Sequence, residues 1–350
     1  MIIDSVSILN LKKMMKYGRF ILLLLVTFIL LGISGIALKI FLLQDPFLAE
    51  DVPEWKVQEL TPYEWELHSV DNPKRSTVAW ITRPEKMQCD TLIIIAGVEE
   101  GENLLFGDEK WKYTGNTILM KQPVHSFFLR HHWKDWNLLD WWHFPELIRE
   151  ETRNTLGALD SLLNYVKGVK PGDKRFTDKV VMAGGSVGAP FPVIISSFKP
   201  KKVDGLMIIY GFTNFQQVIR PLLFSQGLRH YNLTENSTDF SDKVKITGIS
   251  LLADFFAFLL GNVLKYGEME SYLPNIYETP IHFINGTKDH LVPLEAYLPL
   301  WDNSPEPKSE TWLEGGHFNP GNPEDMKRTG KLMYEWTKAH GLRSCKKIEQ

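Results

Sequence analysis

Val180-Val181-Met182-Ala183-Gly184-Gly185-Ser186-Val187-Gly188 decides how the rest of this 350-residue chain is read. Four consecutive apolar residues ahead of a glycine pair describe a buried strand rather than one with a solvated face. The strand empties into Gly-x-Ser-x-Gly. A sharp turn there holds the serine backbone in a strained conformation, and the glycines leave room for close chain approach. Such an elbow presents the Ser186 hydroxyl at the tip of a sheet, open to a base and a substrate. The pattern is common in a chain with 25 glycines, so its weight comes from an acid and a base placed downstream.

Two later stretches repeat the strand-then-loop pattern. Pro280-Ile281-His282-Phe283-Ile284-Asn285 reads as a short buried strand and runs into Gly286-Thr287-Lys288-Asp289. Glu310-Thr311-Trp312-Leu313 is strand-like and empties into Glu314-Gly315-Gly316-His317. Asp289 and His317 are therefore expected on loops at the C-terminal ends of strands, where open α/β sheets carry their working groups. A helix is predicted from Glu324 to His340, with Pro323 suited to its first turn. A serine hydroxyl is a poor nucleophile at neutral pH and needs a base within hydrogen-bond reach. Histidine can accept that proton and return it. A carboxylate fixes the imidazole tautomer and stabilises the imidazolium.

The order Ser186, Asp289, His317 resembles that of the α/β-hydrolase superfamily. The resemblance covers about Tyr63 to Leu342, and Thr279 through Pro293 is especially similar to the family's acid strand and loop. It implies a mostly parallel sheet with helices on both faces and a cap-like insertion. It further implies a serine hydrolase acting on a carboxylic ester, with Ser186 as nucleophile, His317 as base and Asp289 as orienting acid. No cofactor or metal is called for, since water releases the acyl-enzyme. By the family pattern the oxyanion donors are the backbone N–H groups of Val187 and Val98.

The chain departs from the family in two places. Many relatives carry His-Gly after the early strand Thr91–Ala96; this chain has Ala96-Gly97, followed by Glu99 and Glu100. Those carboxylates either face solvent or bind a cationic group such as an amine, and they are the only hint of peptidase or amidase chemistry on the same triad. The elbow also continues as Ala189-Pro190-Phe191-Pro192. Pro190 suits a first helical turn, whereas Pro192 is expected to kink the helix and disturb Ser186. Those two departures support a third reading, a hydrolase fold used as a non-catalytic binding module.

Residues 20–43 form a nearly continuous apolar stretch of 24 residues, with Lys39 one turn from its end. At about 1.5 Å per residue this exceeds the ~30 Å hydrocarbon thickness. Lys12, Lys13, Lys16 and Arg19 precede it, and Asp45, Glu50, Asp51 and Glu54 follow. The positive-inside rule makes 1–19 cytoplasmic, 20–43 a single-pass anchor, and the rest non-cytoplasmic. The alternative is a signal peptide cleaved near Gly35-Ile36-Ala37, leaving a secreted or periplasmic protein, although the apolar run is long for one.

Residues 44–60 read as a linker and 61–350 as the hydrolase domain. Tyr63–Val70 and Arg75–Ile81 predict a hairpin. Ile118–Gln122 is the next candidate strand, with Val124–Leu129 as its rival. Glu146 to Lys167 reads as a long amphipathic helix. The separation of 103 positions from Ser186 to Asp289 exceeds one strand-helix pair, so about 213–278 is assigned to a cap-like insertion. Its run Leu251–Leu260 is too short to span a bilayer and reads as a cap helix packed on the domain, or as an apolar lid. Five of eleven tryptophans fall between Trp111 and Trp142, beside His131, His132, Asp135, Asp140 and His143, in a spacing that matches no metal motif. Asn232 and Asn236 head glycosylation sequons.

The net charge is −3. Residues 1–43 hold five basic groups and one acidic, which leaves −7 on the remainder. A mildly acidic domain without a basic run argues against nucleic acid as partner. The partners implied are a small-molecule ester or acyl substrate and, through the N-terminal helix, a membrane. Cys89 and Cys345 are the only cysteines; their spacing neither requires nor forbids a disulfide.

Overall fold

The computed structural model describes residues 34–35, 38–39, 42–84, 87–95, 115–122, 138–168, 175–319 and 322–347, with backbone only at 138–141. Most of the apolar stretch 20–43, Val98, Glu99 and Glu100, the rival strand Val124–Leu129 and Trp111, Trp133 and Trp136 lie outside the described residues.

Among the described residues, ten strands form one sheet: β1 (Trp55–Thr61), β2 (Glu64–Ser69), β3 (Ser76–Thr82), β4 (Met87–Ile95), β5 (Asn116–Met120), β6 (Phe176–Gly185), β7 (Gly205–Ile209), β8 (Ile281–Gly286), β9 (Lys308–Leu313) and β10 (Cys345–Lys347). The order is β1-β2-β3-β5-β4-β6-β7-β8-β9, with β10 on the start of β4. β1, β2 and β3 run antiparallel, and β5, β4, β6, β7, β8 and β9 run parallel. The helices are α1 (Leu138–Gly168), α2 (Pro190–Phe198), α3 (Phe215–His230), α4 (Phe240–Leu264), α5 (Leu294–Asn303) and α6 (Pro323–Ala339). An antiparallel opening, a parallel body and a connection that reverses direction at β4 make this an α/β-hydrolase fold. The reversal creates the crevice at the strands' C-terminal ends where such sheets place their sites.

The central parallel strands are buried on both faces because helices cover both, whereas the edge strand β9 has no buried residue. Leu206, Met207 and Ile208 of β7 are all fully buried, as are Val180 to Ala183 of β6. One core, built around Ile93, Met182, Ile208 and Phe283, is covered by α1 and α2; the other, around Val181, Met207 and Ile284, is covered by Trp336 and Met333 of α6.

Three elements differ from the sequence reading. Residues 55–60, assigned to a linker, are strand β1, paired with β2. Only Trp55 of that strand is buried, so no alternation marks it. The helix predicted from Glu146 begins at Leu138 and carries Pro145 near its start. The ten-residue run Leu251–Leu260 belongs to the 25-residue helix α4, whose polar opening, Ser241-Asp242-Lys243, hides its length from an apolar scan.

The N-terminal segment runs alongside α1 in the same direction. Gly35 abuts the Trp142 ring. Lys39 donates to the Trp142 carbonyl at 2.8 Å and pairs with Glu146. Arg149 donates to the Leu43 and Asp45 carbonyls at 2.6 and 2.8 Å, Arg153 to that of Asp51 at 2.8 Å, and the Trp55 N–H reaches Ser161 Oγ at 3.1 Å. At the other terminus, Cys345 pairs with Cys89 on β4 and is joined to it by a disulfide, with Cα atoms 4.2 Å apart. The Ser344 N–H adds a 2.6 Å hydrogen bond to Asp90 Oδ2.

Candidate active site

β6 ends at Gly185, a single 3-10 turn covers Ser186–Gly188, and α2 starts at Pro190. Ser186 sits at φ 51°, the left-handed region that a side chain rarely adopts. Gly184 is what lets α2 come this close. A Cβ there would stand 2.6 Å from the Gly188 carbonyl oxygen and 2.7 Å from Ala189 Cα. Gly185 has open space around it. The glycine that the turn requires is therefore the first of the pair.

The expected kink at Pro192 does not occur. The 3-10 turn delays the helix until Pro190, so both prolines fall within the first turn, where backbone N–H groups have no intrahelical partner.

Asp289 and His317 leave the C-terminal ends of β8 and β9 on adjoining loops. Those loops are tied by backbone bonds from Thr287 N–H to the Leu313 carbonyl and from Lys288 N–H to that of Gly315, both 2.8 Å. Gly286 allows the approach, since a Cβ there would meet the Gly316 carbonyl oxygen at 2.6 Å. His317 Nε2 lies 3.0 Å from Ser186 Oγ, and Nδ1 lies 2.7 Å from Asp289 Oδ2. The second carboxylate oxygen, Oδ1, accepts from the Leu291 and Val292 N–H groups at 2.8 and 3.0 Å. The Asp289 side chain is buried and that of His317 is half-buried. With Nδ1–H donating to the carboxylate, Nε2 is left free to accept the serine proton. The arrangement can thus move a proton off Ser186 and hold the resulting cation beside a fixed carboxylate.

The sequence reading missed Tyr210. This residue follows β7 at φ 51°, and its N–H donates to the Ile284 carbonyl at 2.7 Å. Its buried ring meets the His317 ring edge-on at 5.2 Å between centroids and stacks on Phe318 at 6.0 Å. Burial, with the carboxylates of Asp325 and Asp289 adding to it, pushes its hydroxyl up to about 12. The positive φ carries no sequence signal beyond the adjacent Gly211. Of the expected oxyanion donors, Val187 follows Ser186 directly on an exposed turn, and Val98 lies outside the described residues.

No family model matches the chain, and no curated protein matches its sequence. Solved structures with a similar course include a membrane phospholipase A described as a bacterial virulence factor. It is 13% identical, with 94% of this chain and 99% of that one covered and a TM-score of 0.44. Another is Est1E from Butyrivibrio proteoclasticus, at 13% identity, 82% and 98% coverage and a TM-score of 0.45. A third is acetyl xylan esterase 1 from Thermoanaerobacterium sp. JW/SL YS485, at 12% identity, 81% and 88% coverage and a TM-score of 0.48. The fold assignment itself rests on strand order, parallel pairing and the elbow.

Proposed function

We propose that this chain is a membrane-anchored serine hydrolase that cleaves a carboxylic ester through an acyl-enzyme. Ser186 attacks the carbonyl carbon, and His317 Nε2 takes the hydroxyl proton and passes it to the leaving alcohol. Asp289 holds the imidazole by Nδ1. The Val187 N–H, with that of Val98 after β4, stabilises the oxyanion. Water, activated by His317, then releases the acid and restores Ser186.

The observation that carries this reading is the unbroken hydrogen-bonded chain from Asp289 through His317 to Ser186, whose backbone holds φ 51°. The double proline set against catalysis leaves that chain intact. Membrane anchoring rests on the apolar stretch 20–43, and the non-cytoplasmic placement on the basic residues before it. The Cys89–Cys345 disulfide supports the same side, because such bonds persist in oxidising compartments.

The test is a panel of short-chain nitrophenyl esters run beside aminoacyl amides on the wild type and on Ser186→Ala. The reading expects ester turnover that the substitution reduces by at least about 10³-fold. Turnover of amides alone, or of neither, would overturn it.

A further inference from the structure

α3 and α4 form a helical hairpin between β7 and β8, fastened by the Arg220–Asp254 ion pair. α4 buries Ile249, Ala253, Ala257 and Gly261, every fourth residue, on one side. Small residues bring the two helices close: a Cβ on Gly261 would stand 2.9 Å from the Gln216 backbone nitrogen. The opposite side of a surface helix is ordinarily polar. Here it is apolar: Leu251 is 65% exposed, Leu252 59%, Phe258 54% and Phe255 39%. An apolar face of this kind on a soluble domain marks an interaction surface.

The path of the N-terminal segment says what faces it. Successive contacts of Gly35, Lys39, Leu43 and Asp51 move up α1 from Trp142 to Arg153. The segment thus enters the described structure beside the first turns of α1, with Gly35 at Trp142. α1 follows β5 and precedes the parallel strand β6, so its start lies on the same rim of the sheet as Ser186, Asp289 and His317. The 33 residues before Ser34 include most of the apolar stretch 20–43. α4 is tied to this segment at Leu43 and Gln44: Gln44 Nε2 donates to Asn262 Oδ1 at 2.9 Å, and Arg149, which holds Leu43, stacks on the Tyr266 ring just past α4.

We propose that the Leu251–Phe258 face of α4 rests in the lipid bilayer that holds the anchor, and that the substrate is an acyl ester of a lipid in that same membrane. The second clause rests on the hydrolase reading; the first does not. α4, with the short turns after it (Phe240–Asn275), is long and apolar enough to cross a membrane. Its buried stripe and the Arg220–Asp254 pair keep it against α3, so it lies along the interface. The hairpin's tip carries exposed Glu235 and Asp239, which fits a hairpin lying on its side rather than one plunging in by its end.

The test uses the full chain in phosphatidylcholine–phosphatidylglycerol vesicles. A single cysteine at Leu252→Cys carries an environment-sensitive dye, and Lys331→Cys on the exposed face of α6 serves as control. The expected result is a blue shift and at least twofold quenching by nitroxide lipids at 252, with neither at 331. A solvent-like dye at 252 overturns the proposal. So does a shielded dye that nitroxide lipids fail to quench, which would mean that a second copy or the chain's own N-terminal helix covers the face. In a second arm, Leu252→Glu/Phe255→Glu is expected to lose at least tenfold activity on long-chain phospholipid in vesicles and to keep wild-type activity on a soluble short-chain ester. Equal activity on both overturns the substrate clause. Lipid-quenched dye in a protein that cleaves neither ester would sink the hydrolase reading and leave the docking surface standing.

Discussion

Tyr210 packs edge-on against His317, centroids 5.2 Å apart, from a backbone position that a tyrosine rarely occupies. A left-handed non-glycine residue costs on the order of 1–3 kcal/mol and persists where its surroundings over-determine it. The ring stands as a wall beside the imidazole whose Nε2 faces Ser186. Tyr210→Phe keeps that wall and is expected to stay within about threefold of wild type. Tyr210→Ala removes it and is expected to lower kcat by about 10²-fold with KM little changed, since a misplacement of about 1 Å is worth that much. Steady-state kinetics on a soluble ester decides. Equal activity in both variants would remove Tyr210 from the positioning of His317.

Gly184→Ala is expected to move the elbow. Its new Cβ would stand 2.6 Å from the Gly188 carbonyl oxygen and 2.7 Å from Ala189 Cα, and both are backbone atoms with little freedom to yield. Overpacking of this kind costs about 1–3 kcal/mol, and the displaced α2 carries Ser186 with it. Gly185→Ala meets nothing within 4 Å and is expected to be close to neutral. Urea unfolding and ester kinetics on the pair check the contrast; equal effects would contradict it.

Removing the disulfide should loosen the C-terminal clasp on the central strand. The bond joins residues 256 apart in sequence, and a disulfide is typically worth about 2–4 kcal/mol. The double substitution Cys89→Ala/Cys345→Ala is expected to lose that much in urea unfolding while the hydrogen bonds among Asp289, His317 and Ser186 persist. An unchanged midpoint would show that β10 stays docked without it.

His282 gives the fold an acid limit. It is buried on β8, with Nδ1 2.9 Å from Ser309 Oγ and its ring stacked on Trp336. Burial, with repulsion from His340 behind it, pulls it down from 6.5 to about 4. The folded state therefore favours the neutral ring. That contribution is fully present above about pH 6.5 and is lost as pH falls through 4, at about 1.4 kcal/mol per pH unit. His282→Gln is expected to flatten the decline in stability between pH 6.5 and 4 by up to about 3 kcal/mol. Denaturant midpoints across that range test it; parallel curves would contradict it.

How much of this was legible depended on burial. β6, β7 and β8 announced themselves because strands covered on both faces are apolar without interruption. The elbow and the acid could be placed because each follows such a strand, whereas the base follows the edge strand β9, which has no buried residue and was read only from its strand-like run Glu310–Leu313. β1 stayed hidden because it buries only Trp55. The length of α4 stayed hidden behind a polar first turn, and its exposed apolar face behind the same hydrophobicity that suggested a packed helix. The prolines misled because the position of a helix start, one residue to either side, decides whether Pro192 clashes. Tyr210 could not be read, since a left-handed backbone at a tyrosine is imposed by its tertiary neighbours.

The central claim is that Ser186 is an activated nucleophile, and covalent trapping tests it most directly. The folded protein is treated with a fluorophosphonate, then characterised by intact mass and peptide mapping. The account predicts a single adduct on Ser186, absent in Ser186→Ala and formed at least about 10²-fold more slowly when His317 is replaced by Ala. A well-folded protein that takes no adduct, or takes it on another residue, would contradict the account.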